Sequence, residues 1–189
     1  MPAHNKQSSM TLFDSKENPF CHRIRMVLAE KDIKVKRITI EESDDQYKKA
    51  PTLITKDITI YGADVIFEYL EERFPHPPLL SVFPFERAKA RMLCRQIDEK
   101  WMPLIKDKNL ANNSNKIKLL KVLFSFTKTL EEQKYLLGQT FTIADCSMCT
   151  ILYNLPKLNI RLPEKAKSLV QYAKRLFNRK SFAESIKNT

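Results

Sequence analysis

MTLFDSKENPFCHRIRMVLAEKDIKVKRITI, residues 10 to 40, reads as strand, helix and strand within about thirty residues, the length of one βαβ unit with its right-handed crossover. Met10 to Asp14 is a short apolar strand. Asn18 and Pro19 start the helix, because Asn is a good N-cap and Pro at the first helical position gives up no needed donor. Phe20, Ile24, Val27 and Leu28 then recur at helical spacing, and the helix should end near Lys31. Val35 to Ile40 alternates as a strand does.

Working outward, the polar stretch EESDDQYKK (residues 41 to 49) leads to PTLITKDITIY (residues 51 to 61). The latter reads as two short strands around a turn at Lys56 and Asp57. Val65, Ile66, Tyr69, Leu70 and Phe74 form a helical stripe that stops at Pro75, Pro77, Pro78 and Pro84. From Phe85 onward the pattern is helix-periodic: about 85 to 107, 115 to 134, 142 to 154, 164 to 178 and a short terminal piece. The expected organisation is a flexible tail over 1 to 9, an α/β domain over 10 to 74, a proline-rich linker over 75 to 84 and an all-helical domain over 85 to 189.

Composition narrows the function classes. Only two glycines occur in 189 residues, which argues against a phosphate loop, a dinucleotide fingerprint or an all-β fold rich in tight turns. The four cysteines, Cys21, Cys94, Cys146 and Cys149, show no secreted framework. No apolar run reaches the roughly 18 residues of a membrane span, and no leader is visible, so a cytoplasmic protein with free thiols and no membrane association is expected. A net charge of +11, from 33 Lys and Arg against 22 Asp and Glu, favours acidic protein surfaces, nucleotides or nucleic acid. No DNA- or RNA-binding motif accompanies the charge, so DNA contact is expected only indirectly. Cys146 and Cys149 lie three apart on one helix face, but no histidine is paired with them at ligand spacing, so core cysteines are expected and no metal.

The order βαβ, ββα, proline linker and helical bundle is the layout of a thioredoxin-like domain followed by an all-α domain. Ala50-Pro51-Thr52 stands where thioredoxin-like proteins place a cis-proline loop. In Phe141-Thr142-Ile143-Ala144-Asp145, Thr142 can cap a helix while Asp145 returns a bond to the cap's amide, a capping box that is similar to the one in the C-terminal domain of glutathione transferases. MTLF, HRIRMVLAEKDI, EYLEERFPHPPLL and VFPFERAKARML, in order and at compatible spacing, resemble the stringent starvation protein A family. The resemblance runs from about Met10 to Phe182 and implies a glutathione-transferase-like fold without transferase chemistry. It further implies binding to RNA polymerase holoenzyme with its σ factor, and altered promoter use in stress or virulence.

The residues are consistent with lost chemistry. A transferase lowers the pKa of the glutathione thiol with a Tyr, Ser or Cys near the start of the first helix. Here Asn18 stands at the reactive-cysteine position, and an amide is no thiol nucleophile. Cys21, in the second cysteine position, is expected to be a packed thiol rather than a reactive one. The Glu-Ser or Gln-Ser pair that holds the γ-glutamyl carboxylate before the third helix has become Gly62 and Ala63, and Asp64 adds repulsion. Asn18, Pro51, Gly62 and Ala63 thus outline a degenerate glutathione site. No catalytic residue, metal or cofactor is expected. The chain is short between Ile40 and Pro51, where family members carry a second helix, either by deletion or because a stretch is missing from this sequence. A glutathione-dependent transferase or thiol-transfer enzyme is the alternative, and an interaction module unrelated to transcription a third reading.

Phe74-Pro75-His76-Pro77-Pro78 is stiff before binding because proline fixes φ. Taken alone it could be a plain linker. The resemblance implies that this patch, with Phe83 lining it, is the polymerase-binding pocket. It also implies a dimer, either with itself or with a glutathione-transferase-like paralogue. Arg87, Arg91 and Arg95, spaced by four on one helix face, could then supply an anion site at the dimer interface for a phosphorylated alarmone; a solvated helix face is the plainer reading. Lys174, Arg175, Arg179 and Lys180 form a second basic cluster, for polymerase or DNA-backbone contact.

Overall fold

Strand β1 (Gln7–Asp14) organises the first of two units in the protein, whose structure is a computed structural model describing residues 7–41, 45, 49–106, 113–163 and 165–187. The first unit comprises Met1–Pro77 with Lys180–Thr189, and the second Pro78–Arg179. In the first, β1 is followed by α1 (Pro19–Glu30), β2 (Lys34–Thr39), β3 (Thr52–Ile54), β4 (Thr59–Tyr61) and α2 (Ala63–Arg73). The sheet order is β2-β1-β3-β4: β1 runs parallel to β2 and antiparallel to β3, and β3 pairs antiparallel with β4. Alternation sends Met10, Leu12 and Asp14 of β1 inward, as the period of two requires. Leu12 pairs in register with Leu53, and Ile24, Val27, Ile66 and Leu70 complete an apolar layer from which solvent is excluded. In the hairpin turn the Thr55 hydroxyl accepts from the amides of Asp57 (3.2 Å) and Ile58 (3.0 Å).

Two boundaries differ from the sequence reading. Gln7 already pairs with Lys34, so residues 7–9 of the expected 1–9 tail are strand, while 1–6 lie outside the described residues. Lys180–Thr189, read as the end of the helical domain, instead joins the first unit. There α9 (Lys180–Ile186) packs on α1. His22 Nε2 lies 3.0 Å from Ser185 Oγ, Arg25 Nε donates to the Ser185 carbonyl at 2.8 Å, and Ser181 donates to Glu30. Periodicity shows that a helix has an apolar face but not which core receives it. The question of a missing second helix falls on residues 42–44 and 46–48, outside the described residues.

The second unit is helical: α3 (Pro84–Gln96), a π turn (Ile97–Trp101), α4 (Met102–Lys106), α5 (Asn113–Ser125), α6 (Thr127–Glu132), α7 (Ile143–Asn154), a 3-10 turn (Pro156–Leu158) and α8 (Lys167–Phe177). The expected helix over 85 to 107 is therefore interrupted. The extra residue of the π turn changes the helical phase, and Ile97, Trp101 and Met102 are all buried. The expected helix over 115 to 134 breaks at Phe126, where the hydroxyls of Ser125 and Thr127 donate to the carbonyls of Val122 and Phe124, both at 2.7 Å. Such back-bonding competes with the helical ladder. Phe126 meets Trp101 edge-on at 5.7 Å between ring centres.

Helix α7 is the axis of this unit, with Ile143 to Leu152 all buried. Its capping box forms: Asp145 Oδ2 accepts from the Thr142 amide at 2.8 Å and its hydroxyl at 3.1 Å. Asp145 Oδ1 accepts in addition from the Leu136 amide (3.1 Å) and the Tyr172 hydroxyl (2.7 Å). One carboxylate thus ties the helix start to the preceding loop and to α8, a buried acceptor with every bond satisfied.

Candidate functional site

At the start of α1 the Asn18 side chain bonds to backbone at both ends of its amide. Its Oδ1 accepts from the Phe20 amide at 2.9 Å and its Nδ2 donates to the Ala50 carbonyl at 3.1 Å. The residue thereby caps the helix and ties it to the loop before β3, whose Ala50–Pro51 peptide is cis. Cys21 lies one turn in, without exposed surface. Burial pushes its thiol up to about 12, against the bond that Sγ accepts from the Ser15 amide. A thiol held neutral is a poor nucleophile. Gly62 precedes α2 with φ at +85°, and its amide donates to the Pro51 carbonyl at 3.4 Å. A Cβ there would stand 2.9 Å from Asp64 Oδ1. Ala63 is buried and Asp64 exposed. The structure therefore brings Asn18, Pro51, Gly62 and Ala63 together along one backbone route of the first unit.

Beside this position Asp14 is almost wholly buried between two guanidiniums. Arg25 approaches Oδ1 at 2.6 Å, and Arg37 approaches Oδ2 at 2.6 Å. The pairing joins β1, α1 and β2. A hydrophilic residue in an inward strand position gives no hint in sequence of which cations will reach it.

The proline loop has an anchor that the sequence reading missed. Lys31, just past the end of α1, is completely buried, with its Nζ 2.7 Å from Glu71 Oε2 of α2. The same Nζ donates to the carbonyls of Phe74 (2.7 Å) and Pro77 (2.9 Å). An ammonium has three donors, and all three are used. Pro75, His76 and Pro77 are exposed and Phe74 half-buried, so the loop presents its side chains outward while its backbone is held from beneath. The His76–Pro77 peptide is cis. Pro78 and Phe83 belong to the second unit, where Phe83 is 61% exposed at the start of α3.

On α3, Arg87 donates to the Ser81 carbonyl at 3.4 Å, Arg91 is exposed, and Arg95 is paired with Glu99 at 2.7 Å on the surface. One of the three candidate anion-binding guanidiniums is thus already neutralised by its own chain. The other basic cluster is divided. Arg175 donates to the Lys134 carbonyl at 3.0 Å, and Arg179 donates to the Tyr135 hydroxyl at 3.1 Å while stacking 3.8 Å above the Phe141 ring. These two guanidiniums hold the helical unit together. Lys180 belongs to the first unit and faces Glu184 at 3.5 Å.

Cys146 and Cys149 are buried in α7, and among the described residues no group of three or more His, Cys, Asp and Glu is placed to hold a metal ion. Among the same residues no helix is long and apolar enough to cross a membrane.

Known proteins agree with this architecture. Residues 12–78 match the family described as glutathione S-transferase, N-terminal domain, and residues 93–180 match glutathione S-transferase, C-terminal domain. The stringent starvation protein A homolog of Haemophilus influenzae is 31% identical, over 97% of this chain and 93% of the relative. The homolog of Coxiella burnetii is 34% identical, over 96% and 93%. Among solved structures, a glutathione S-transferase from Rhodospirillum rubrum superposes with a TM-score of 0.84 at 22% identity, covering 95% of this chain and 93% of that one. The tau-class transferase of mango does so with 0.78 at 20% identity, covering 96% and 94%. These two likenesses establish the fold: a thioredoxin-like sheet domain followed by an all-α domain, the glutathione-transferase-like fold.

Proposed function

This chain belongs to the stringent starvation protein A family, and from that premise we propose that it is a noncatalytic transcription regulator that docks on RNA polymerase holoenzyme at the σ-factor region. The observation that carries the proposal is the use made of Asn18. At the position where a transferase needs an ionisable or hydroxylic group, this chain has an amide whose oxygen and nitrogen are both bonded to backbone. Cys21 supplies no substitute, since its thiol stays protonated at neutral pH. The docking element in this reading is Phe74 to Pro78 with Phe83. A stiff loop loses little conformational entropy on binding, and the Lys31 anchor stiffens it further.

The protein works as a dimer in this reading. Val82, Phe85 and Met92, on and just before α3, are 79%, 69% and 70% exposed, and large exposed apolar side chains grouped on one helix favour burial against another chain. A homodimer and a heterodimer with a glutathione-transferase-like paralogue both use this face. In this reading the guanidiniums of Arg87 and Arg91 meet an alarmone phosphate there. The protein acts in the cytoplasm and reaches DNA through polymerase.

The likeness to transferases favours one other reading, a glutathione-dependent enzyme. An affinity pull-down from native lysate separates the two, comparing wild type with a His76→Ala, Pro77→Ala, Pro78→Ala variant of verified fold. Polymerase subunits retained by wild type and lost from the variant are expected. Retention on glutathione-agarose with thiol-transfer activity, and no polymerase in either sample, would establish the enzyme instead.

A further inference from the structure

The second unit carries an open groove that polymerase docking at the proline loop does not use. Its floor is apolar: Leu152 and Leu155 at the end of α7, Ile160 after the 3-10 turn, and Val170, Ala173 and Phe177 of α8. The cavity measures about 510 Å³. Helix α8 already spends Leu169, Tyr172 and Leu176, all nearly without exposed surface, on its own core. Val170 and Phe177, both half-buried, extend the apolar stripe beyond what that packing needs. Asn159, with φ at +54°, turns the chain after the 3-10 turn, in a conformation Asn adopts more readily than most residues, and Arg161 and Leu162 beyond it also line the groove.

The rim is basic. Arg161 lines the groove itself, and Lys165 and Lys174, both exposed, belong to the same stretch of chain that supplies its lining. Between Pro156 and Arg179 the sequence has seven lysines and arginines against one acid, Glu164. This charge pattern selects the occupant. A second copy of the chain would bring the same rim and the same net charge of +11, which like-charge juxtaposition disfavours. A nucleic acid strand would find cations but only one aromatic ring, Phe177, in the floor, where stacking platforms are its usual apolar partners. An amphipathic helix with acidic flanks satisfies both features. Its apolar residues at i, i+3 or i+4, and i+7 fill the floor, and its carboxylates meet the lysines and Arg161. We propose that this groove docks an acidic amphipathic helix of a partner protein.

The test uses the full chain and a fluorescein-labelled peptide of about 18 residues with leucines at those spacings and glutamates elsewhere. Saturable binding by anisotropy is expected, with amide shifts confined to residues 152 to 177 and affinity falling as salt rises. A peptide of the same composition in scrambled order is expected to bind at least about tenfold more weakly, and Val170→Glu and Arg161→Glu each to weaken binding by about tenfold or more. Arg161 is exposed, so its variant keeps the test decisive if Val170→Glu does not fold. Equal binding of the scrambled peptide, or indifference to both substitutions, would overturn the proposal as unspecific charge attraction. A short DNA duplex or dodecanoate binding at the same residues more tightly than the peptide would overturn it in favour of a nucleic-acid or small-amphiphile site. None of these results bears on polymerase capture by the Pro75 to Pro78 loop, whose failure is read separately in the pull-down.

Discussion

Lys31 and Glu71 face each other at 2.7 Å with almost no exposed surface on either side chain, and the same ammonium holds the backbone of Phe74 and Pro77. A buried pair of this kind adds little to stability against an apolar replacement, but breaking it leaves an uncompensated charge. Lys31→Met is therefore expected to cost roughly 3–5 kcal/mol in urea unfolding, and Lys31→Met with Glu71→Met to recover most of that loss. The double variant still leaves the two loop carbonyls unheld. It is expected to fold and yet to capture less polymerase than wild type; full capture by a stable double variant would show that the clamp does not position the loop.

Asn18 has a structural role distinct from chemistry. Asn18→Ala removes an N-cap, a change worth about 1 kcal/mol, together with the bond to the Ala50 carbonyl. Denaturant unfolding is expected to show a loss of that order, while polymerase capture by the folded variant stays at the wild-type level. A clear loss of capture in a variant shown to be folded would contradict the reading of Asn18 as structural.

The Cys21 thiol titrates at about 12 in the fold and at about 8.5 in an unfolded chain. The folded state therefore keeps its proton through the interval between those values. This group's contribution to stability is complete below about pH 8.5 and is lost progressively as pH rises toward 12. Unfolding free energies measured from pH 7 to 10 are expected to fall more steeply for wild type than for Cys21→Ala. Alkylation by iodoacetamide at pH 8 should proceed only at the rate of opening, and modification at the rate of a free thiol would refute the packed-thiol account.

Asp14 compensates two arginines at once. Asp14→Asn leaves Arg25, itself buried, without its carboxylate, and a loss of about 3 kcal/mol or more is expected. The lost cooperativity should appear as faster amide exchange in β1, α1 and β2 together, since the pair joins those three elements. An effect limited to β1 would show that the two cations contribute little.

Sequence by itself determined the order of elements in the first unit, the N-cap at Asn18 and the capping box of Thr142 and Asp145, because each depends on contacts within a few residues or on periodicity along one segment; the family was legible through the resemblance of whole segments to known proteins. It also located the proline loop, since proline acts through its own ring. Only the tertiary structure decided that α9 packs on α1 in the first unit and that Arg175 and Arg179 are tied to Lys134 and Tyr135 within the helical unit. Nor does any local pattern around Lys31 announce that its ammonium will be buried beneath a loop more than forty residues away. Which charges meet in a core depends on where the chain brings distant segments together, and that geometry is a property of the whole fold rather than of any stretch of sequence.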